Sequence, residues 1–60
     1  MARFGDRLKT ARLKTGMSQK QLADYLGTYG GPVCRWEYND CRPSDEYLAK
    51  LEALFPELKR

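Results

Sequence analysis

Reactive side chains are few in this 60-residue chain, which has two cysteines, Cys34 and Cys41, and no histidine. Without histidine, a cysteine nucleophile lacks its usual base, and a zinc site lacks the ligands to accompany two thiolates. No carboxylates are paired in an evident cleft, and Gly30-Gly31-Pro32 lacks the Lys-Ser/Thr that follows in a phosphate-binding loop. We therefore expect no enzyme, metal or cofactor. Both cysteines are interpreted as free thiols in a reducing compartment, with a disulfide as the alternative.

The basic side chains are concentrated in the first two thirds of the chain. Residues 1–42 carry eight Lys or Arg against four acidic residues, whereas residues 43–60 carry three against four. A polyanion is a natural partner for the first part, although so small an excess is also common on plain soluble surfaces. The chain is 42% hydrophobic and 32% charged, which is typical of a globular domain. No apolar run approaches the roughly 20 residues of a membrane span, so we expect a cytoplasmic protein.

Helix-breaking residues and apolar spacing predict an all-α fold, because no segment of strand-forming residue types alternates strictly over five or more residues. Gly16 and Gly27 are expected to end the first two helices, where a left-handed residue is needed. Ser18 and Gln21 have the spacing of a capping box. The predicted single domain, residues 1–60, has helices at about 4–14, 19–26, 30–38 and 44–55.

The predicted core comes from the apolar faces of the four helices. Ser44 is expected to cap the fourth helix, and Pro56 to open a short fifth turn unless residues 57–60 fray. Trp36 and the four tyrosines are interpreted as core or core edge rather than as a platform for stacking bases. The other predicted core residues are Phe4, Leu8, Ala11, Leu22, Ala23, Leu26, Val33, Leu48, Leu51, Leu54 and Phe55.

The spacing within residues 18–39 is the most specific feature of the sequence. The second and third helices are joined by about three residues around Gly27, which suits a sharp turn. Ala23 lies four residues earlier, where a closely crossing helix requires a small side chain. Val33 and Trp36 follow at six and nine residues after the glycine, where they pack back on the second helix. This pattern describes a helix-turn-helix unit.

Residues 4–55 resemble the phage repressor/Cro type (XRE-like) of helix-turn-helix domain. The matching pieces are Phe4-Gly5-Asp6-Arg7-Leu8, Ala11-Arg12, Gly16-Met17-Ser18-Gln19-Lys20-Gln21-Leu22-Ala23, Leu26-Gly27, Val33-Cys34-Arg35-Trp36-Glu37 and Arg42-Pro43-Ser44. The resemblance implies a compact four- to five-helix, lambda-repressor-like domain with a buried ion pair between Arg12 and Glu37. It also implies a phage-borne or bacterial transcriptional regulator, with its recognition helix (about 30–38) in the major groove of operator DNA. Such a protein is associated with the nucleoid when bound to DNA.

The same resemblance implies which residues contact DNA. The family residue matching Gln19 touches backbone phosphate, where the helix N-terminus supports the contact. Arg35 is the best candidate for base readout, because a guanidinium can donate two hydrogen bonds to guanine O6 and N7. The alternative for Arg35 is a solvated surface arginine, and for the loop residues ordinary exposed side chains. The candidate DNA contacts are Gln19, Lys20, Tyr29, Gly30, Gly31, Cys34, Arg35, Tyr38, Asn39 and Arg42.

The sequence departs from the family at Gly30-Gly31-Pro32, where the first two positions usually carry base-reading side chains. Three alternatives follow: the backbone approaches DNA unusually closely, readout falls to Arg35, Tyr29 and Cys34 with relaxed specificity, or the fold serves a protein partner. The last would be an antitoxin-like or regulator-binding module. The segment after Phe55 is shorter than the family's fifth helix, so a homodimer on DNA has little support. A redox switch at Cys34 is a further hypothesis, since it precedes Arg35.

Overall fold

The computed structural model describes residues 3–59, and within them the chain forms only helices and turns. Met1, Ala2 and Arg60, the ends of the predicted 1–60 domain, lie outside the described residues. The elements are α1 (Phe4–Lys14), α2 (Gln19–Leu26), α3 (Gly30–Glu37), α4 (Asp45–Leu54) and a 3-10 turn (Pro56–Leu58). The all-α prediction is confirmed. The observed α1 and α2 have the predicted bounds, α3 ends one residue early, and α4 is one residue shorter at each end than predicted.

The end of α1 is set by Gly16, whose φ of 75° lies in the left-handed region. Its N–H donates to the carbonyl of Leu13 at 3.1 Å, and the N–H of Met17 donates to the carbonyl of Arg12 at 3.2 Å. These two hydrogen bonds form a Schellman motif, which satisfies carbonyls that a helix end leaves unpaired. The chain therefore turns sharply into α2.

Both ends of α2 follow local sequence signals. The N–H of Gln21 donates to Ser18 Oγ at 3.0 Å, and the N–H of Ser18 donates to Gln21 Oε1 at 2.8 Å, which confirms the capping box. Gly27, with a φ of 78°, ends the helix as predicted. The N–H of Thr28 then donates back to the carbonyl of Ala23 at 2.9 Å. This tight closure fixes where α3 begins.

The core lies between all five elements, and the predicted inner faces form most of it. Ala23 is fully buried and Trp36 is 3% exposed, as the spacing required. The Trp36 ring is tilted against Tyr47, with centroids 5.5 Å apart. The buried hydrophobic residues are Leu8, Ala11, Leu22, Ala23, Leu26, Val33, Trp36, Leu51, Phe55 and Leu58, with Phe4, Met17, Tyr47 and Leu54 packed at the edge.

The prediction that all four tyrosines belong to the core or its edge is wrong for three of them. Tyr25 is 54% exposed, and Tyr29 and Tyr38 are each 73% exposed. Tyr29 and Tyr38 are the residues that flank α3 at its two ends, outside its inner face, while Tyr25 lies between the buried positions of α2. Only Tyr47 fits the prediction, as a half-buried residue of α4.

A close contact between α1 and the end of α3 was not predicted. A Cβ on Gly5 would collide with the carbonyl oxygens of Trp36 and Glu37, the latter at 2.6 Å. The N–H of Gly5 donates to Asn39 Oδ1 at 3.0 Å. Asn39 has a φ of 62° and follows the end of α3, so it both turns the chain and caps α1. The two helices are therefore joined at this point.

The C-terminal part of the chain is held against α1. Pro56 opens the predicted short turn, and Leu58 is buried, so this segment does not simply fray. Arg7 Nη2 donates to the carbonyls of Glu57 at 2.9 Å and Leu58 at 3.2 Å. Ser44 occupies the N-cap of α4 as predicted, but its side chain makes no capping hydrogen bond.

Candidate nucleic-acid interface

The two faces of α3 differ sharply in composition. Its inner face packs against α1 and α2 and consists of three buried residues, Val33, Trp36 and Glu37. The exposed residues Gly31, Arg35 and Tyr38 follow at intervals of four and three, so they share the opposite face. This geometry turns the predicted base-reading arginine toward solvent and away from the core.

An open groove lies beside the first turn of α3, and we call it the α3 groove. It is lined by Tyr29, Gly31, Pro32, Arg35 and Cys41. The structure thus brings together three of the predicted DNA contacts, Tyr29, Gly31 and Arg35. Cys41 was missed because its position in this groove depends on the path that the chain takes after α3, which the sequence does not specify. The predicted contact Cys34 is half-buried on α3 itself.

The two glycines at the start of α3 have different surroundings. A Cβ on Gly30 would have no neighbour within 4 Å, whereas a Cβ on Gly31 would lie 2.9 Å from Tyr29 Cε2 and 3.4 Å from Tyr29 Cδ2. Neither glycine has a positive φ, unlike Gly16 and Gly27. The tyrosine ring therefore occupies the space over Gly31 that a side chain there would take.

The ion pair between Arg12 and Glu37 is present and nearly dry. Arg12 Nε lies 2.6 Å from Glu37 Oε2, and the two side chains are 9% and 4% exposed. Arg12 Nη2 donates to Glu37 Oε1 at 3.2 Å, and Arg12 Nη1 donates to the carbonyl of Met17 at 2.8 Å. A buried charge pair is tolerated when its remaining polar atoms are also bonded, and within residues 3–59 no buried side-chain polar atom lacks a partner.

Gln19 connects this ion pair to the surface. It is half-buried at the first position of α2, and its Nε2 donates to Glu37 Oε1 at 3.1 Å. The predicted phosphate contact is therefore held in place by the residue that also anchors Arg12. Lys20, the next residue, is exposed.

The remaining predicted contacts, Asn39 and Arg42, border a second groove. This basic groove, with a volume of about 730 Å³, is lined in part by Arg3, Arg7, Asn39, Cys41, Arg42 and Lys59. Cys41 borders both grooves, so they are neighbours. The structure thus places Arg35 in one groove and Arg42 in the next. The Oδ1 atom of Asn39 is already bonded to the α1 backbone, a structural role that the sequence did not reveal.

The described residues hold few groups for other chemistry. Both cysteines are free, Cys34 half-buried and Cys41 exposed. Among residues 3–59 no three His, Cys, Asp or Glu side chains come together as metal ligands would. In the same part of the chain, every helix is too short or too polar to cross a membrane.

Comparison with known proteins found a relative in Bacillus subtilis (strain 168), the SPbeta prophage-derived uncharacterized HTH-type transcriptional regulator YonR. The two sequences are 38% identical over 48 residues, which is 80% of this chain and 44% of that protein. The chain thus spans less than half the length of this relative. No family model matches the sequence. No solved structure matches it either.

Proposed function

We propose that the chain is a helix-turn-helix domain of the phage repressor type, and that it binds double-stranded DNA as part of a transcriptional regulator. The proposal assigns the contact to the N-terminus of α2 and the outward face of α3. It rests chiefly on the exposure of Arg35 on the face of α3 opposite the buried inner face. In helix-turn-helix proteins the second helix of the motif enters the major groove, which gives this exposed arginine access to base edges.

Base readout is assigned to Arg35. Its guanidinium can grip guanine O6 and N7 together, which is worth about 1–3 kcal/mol of discrimination against another base. Tyr29 and Cys34 flank it, and the open backbone of Gly30 allows close approach at the start of α3. The proposed readout is therefore concentrated on few side chains.

Phosphate contacts are assigned to residues at both sides of α3. Lys20 is exposed in the first turn of α2, where the helix dipole also favours an anion. Gln19 uses one amide hydrogen for Glu37 and has a second for phosphate. Tyr38, Asn39 and Arg42 follow α3. Such contacts fix the orientation of the domain on the duplex but do not read sequence.

A protein-interaction module is the second candidate, because two glycines occupy positions where base-reading polar side chains are expected, and three tyrosines are exposed on the surface. Tyr25, Tyr29 and Tyr38 are each more than half exposed, and aromatic residues are enriched at protein interfaces. In this case the domain would bind a co-encoded protein tightly and DNA weakly, with no sequence preference. The fold alone does not decide between the two functions.

The experiment that tests DNA binding is selection of duplexes from a random pool, followed by fluorescence anisotropy at two salt concentrations. We expect a sequence motif and an affinity that falls steeply with salt, because phosphate contacts release counterions. Arg35→Ala is expected to reduce the preference for the motif about 5- to 150-fold, which corresponds to about 1–3 kcal/mol.

Lys9→Ala is the matched control, since Lys9 is an exposed cation on α1, outside the proposed interface. It removes the same charge and is expected to leave the motif preference intact. Weak binding by the parent protein without a motif, unchanged in Arg35→Ala, would contradict the proposal and favour a protein partner.

A further inference from the structure

The start of α3 contains two residues, Tyr29 and Gly31, that each make the helix less stable than the usual residue at that position would. Tyr29 occupies the N-cap, yet its side chain makes no capping hydrogen bond, and N-caps favour Ser, Thr, Asp or Asn. Gly31 lies inside the helix without a positive φ, where alanine would make the helix more stable. Departures from local rules that cluster in one place are typical of functional sites.

These two residues contact each other. A Cβ on Gly31 would lie 2.9 Å from Tyr29 Cε2, so the ring keeps its position only while residue 31 lacks a side chain. No such contact explains why residue 30 is a glycine, because a Cβ on Gly30 would meet nothing within 4 Å. The ring thus lies against the backbone of α3 at Gly31, while most of the Tyr29 side chain remains exposed, at 73%.

The seated ring shapes the chemistry of the α3 groove. The groove is lined by Tyr29, Gly31, Pro32, Cys41 and a single charged residue, Arg35. An apolar wall beside a guanidinium matches a base step that presents a methyl group next to hydrogen-bond acceptors. In the major groove, the C5-methyl of thymine is the apolar group that proteins contact.

We propose that Tyr29, seated on Gly31, recognises a thymine by packing its ring on the C5-methyl group, beside the base that Arg35 contacts. The inference rests on the proposed DNA-binding function and adds a second specificity determinant to it. With this contact, the start of α3 still recognises a base, although Gly30 and Gly31 have no side chains to do so. Gly31 acts as a positioning residue, and the tyrosine side chain takes the place of the missing one.

In the test, the thymines of a selected duplex are replaced by deoxyuridine one at a time. Each replacement removes one methyl group and nothing else. Binding of the parent protein is expected to weaken about fourfold at one position, the fold-change that corresponds to burying one methyl group. Tyr29→Ala is expected to bind the dT and dU duplexes equally at that position. Tyr29→Phe keeps the ring and is expected to keep the discrimination.

Gly31→Ala and Gly30→Ala form a matched pair, since each adds one methyl group to the first turn of α3. Gly31→Ala forces the ring from its seat and is expected to reduce the dT/dU ratio toward one, although the helix itself becomes more stable. Gly30→Ala leaves the ring in place and is expected to preserve the ratio. In a Tyr29→Ala background, Gly31→Ala is expected to have no further effect on it.

Nuclear Overhauser contacts in the free domain test the seat without DNA. We expect cross-peaks between the Tyr29 ring protons and the Gly31 α-protons, and their absence would overturn the inference. Selection that yields no motif would overturn the inference together with the proposed function. Two results would overturn the inference alone and leave DNA binding intact, in each case with a clear motif selected. In the first, no thymine methyl group has an effect on binding that depends on Tyr29. In the second, the methyl effect is unchanged in Gly31→Ala.

Discussion

Removing the buried carboxylate with Glu37→Ala is expected to take away most of the stability of the domain. Glu37 accepts hydrogen bonds from Arg12 Nε and Nη2 and from Gln19 Nε2, at 2.6, 3.2 and 3.1 Å. Truncation leaves the Arg12 guanidinium buried with only the carbonyl of Met17 as a partner. Breaking a buried pair in this way costs about 3–5 kcal/mol. A domain of this size has a total stability of roughly 3–9 kcal/mol at about 0.05–0.15 kcal/mol per residue.

The double replacement Arg12→Met with Glu37→Leu separates the cost of an unpaired charge from the value of the pair. It removes both charges and keeps the apolar volume, so we expect a stability within about 2 kcal/mol of the parent, well above the single variant. Glu37→Gln is a milder variant that keeps the shape of the side chain. It is expected to cost about 1.5–3 kcal/mol, the usual value of hydrogen bonds to a charged group.

Urea unfolding followed by fluorescence measures these changes directly, because Trp36 is the single tryptophan and is 3% exposed in the folded domain. The free energy of unfolding is obtained by linear extrapolation for each variant. A Glu37→Ala variant that loses less than about 1 kcal/mol would refute the assignment of a desolvated pair. A double variant that is no more stable than Glu37→Ala would refute the explanation by an unpaired charge.

Three further predictions concern the local contacts of the fold. Gly5→Ala is expected to destabilise the domain by about 1–3 kcal/mol, because its methyl group meets backbone carbonyls. Gly30→Ala is expected to stabilise the domain by about 0.5–1 kcal/mol. Equal shifts of the melting temperature, measured by circular dichroism, would contradict this. Asn39→Gly loses only the hydrogen bond to α1, about 0.5–1.5 kcal/mol, while Asn39→Ala also strains the left-handed backbone, so chemical denaturation should rank glycine above alanine and not the reverse. Ser18→Ala removes one half of the capping box and is expected to cost about 1 kcal/mol, seen as faster amide exchange in the first turn of α2; unchanged exchange would show that the cap is not needed.

The features that sequence predicted well are those with local causes. Gly16 and Gly27 end α1 and α2 because glycine adopts positive φ without strain, and Ser18 and Gln21 are close enough in sequence to cap α2 by themselves. The small side chain of Ala23 follows from the short connection that forces α3 across α2. These signals need only a few consecutive residues, so the bounds of the first two helices could be read directly.

Features that depend on distant parts of the chain were missed. The hydrogen bond between Gly5 and Asn39 joins residues 34 positions apart, and nothing local at either residue announces it. Apolar character alone placed three exposed tyrosines in the core, because an aromatic ring is equally suited to an interface or a core edge. The first turn of α3 is an example. The contact between Tyr29 and Gly31 explains why residue 31 is a glycine, and neighbouring residues in the sequence did not explain it.

In the candidate site, the sequence suggested which residues contact DNA but not how those residues are arranged. Arg35 is on the solvent side of α3 as required, but Arg42 lines the neighbouring groove and Cys41 borders both. Which loop residues share a groove depends on the chain reversal after α3, and a single sequence does not specify that path. The link from Gln19 to the buried ion pair likewise needs the packed helices.

The most direct test of the central claim, that the α2 N-terminus and α3 face DNA, is a titration of the isotopically labelled domain with a selected duplex, followed by amide chemical shifts. We expect the largest changes in residues 18–21 and 29–35, and little change in α4 and the 3-10 turn. Changes confined to α4 and the turn, or none at DNA concentrations that saturate the anisotropy signal, would contradict the claim.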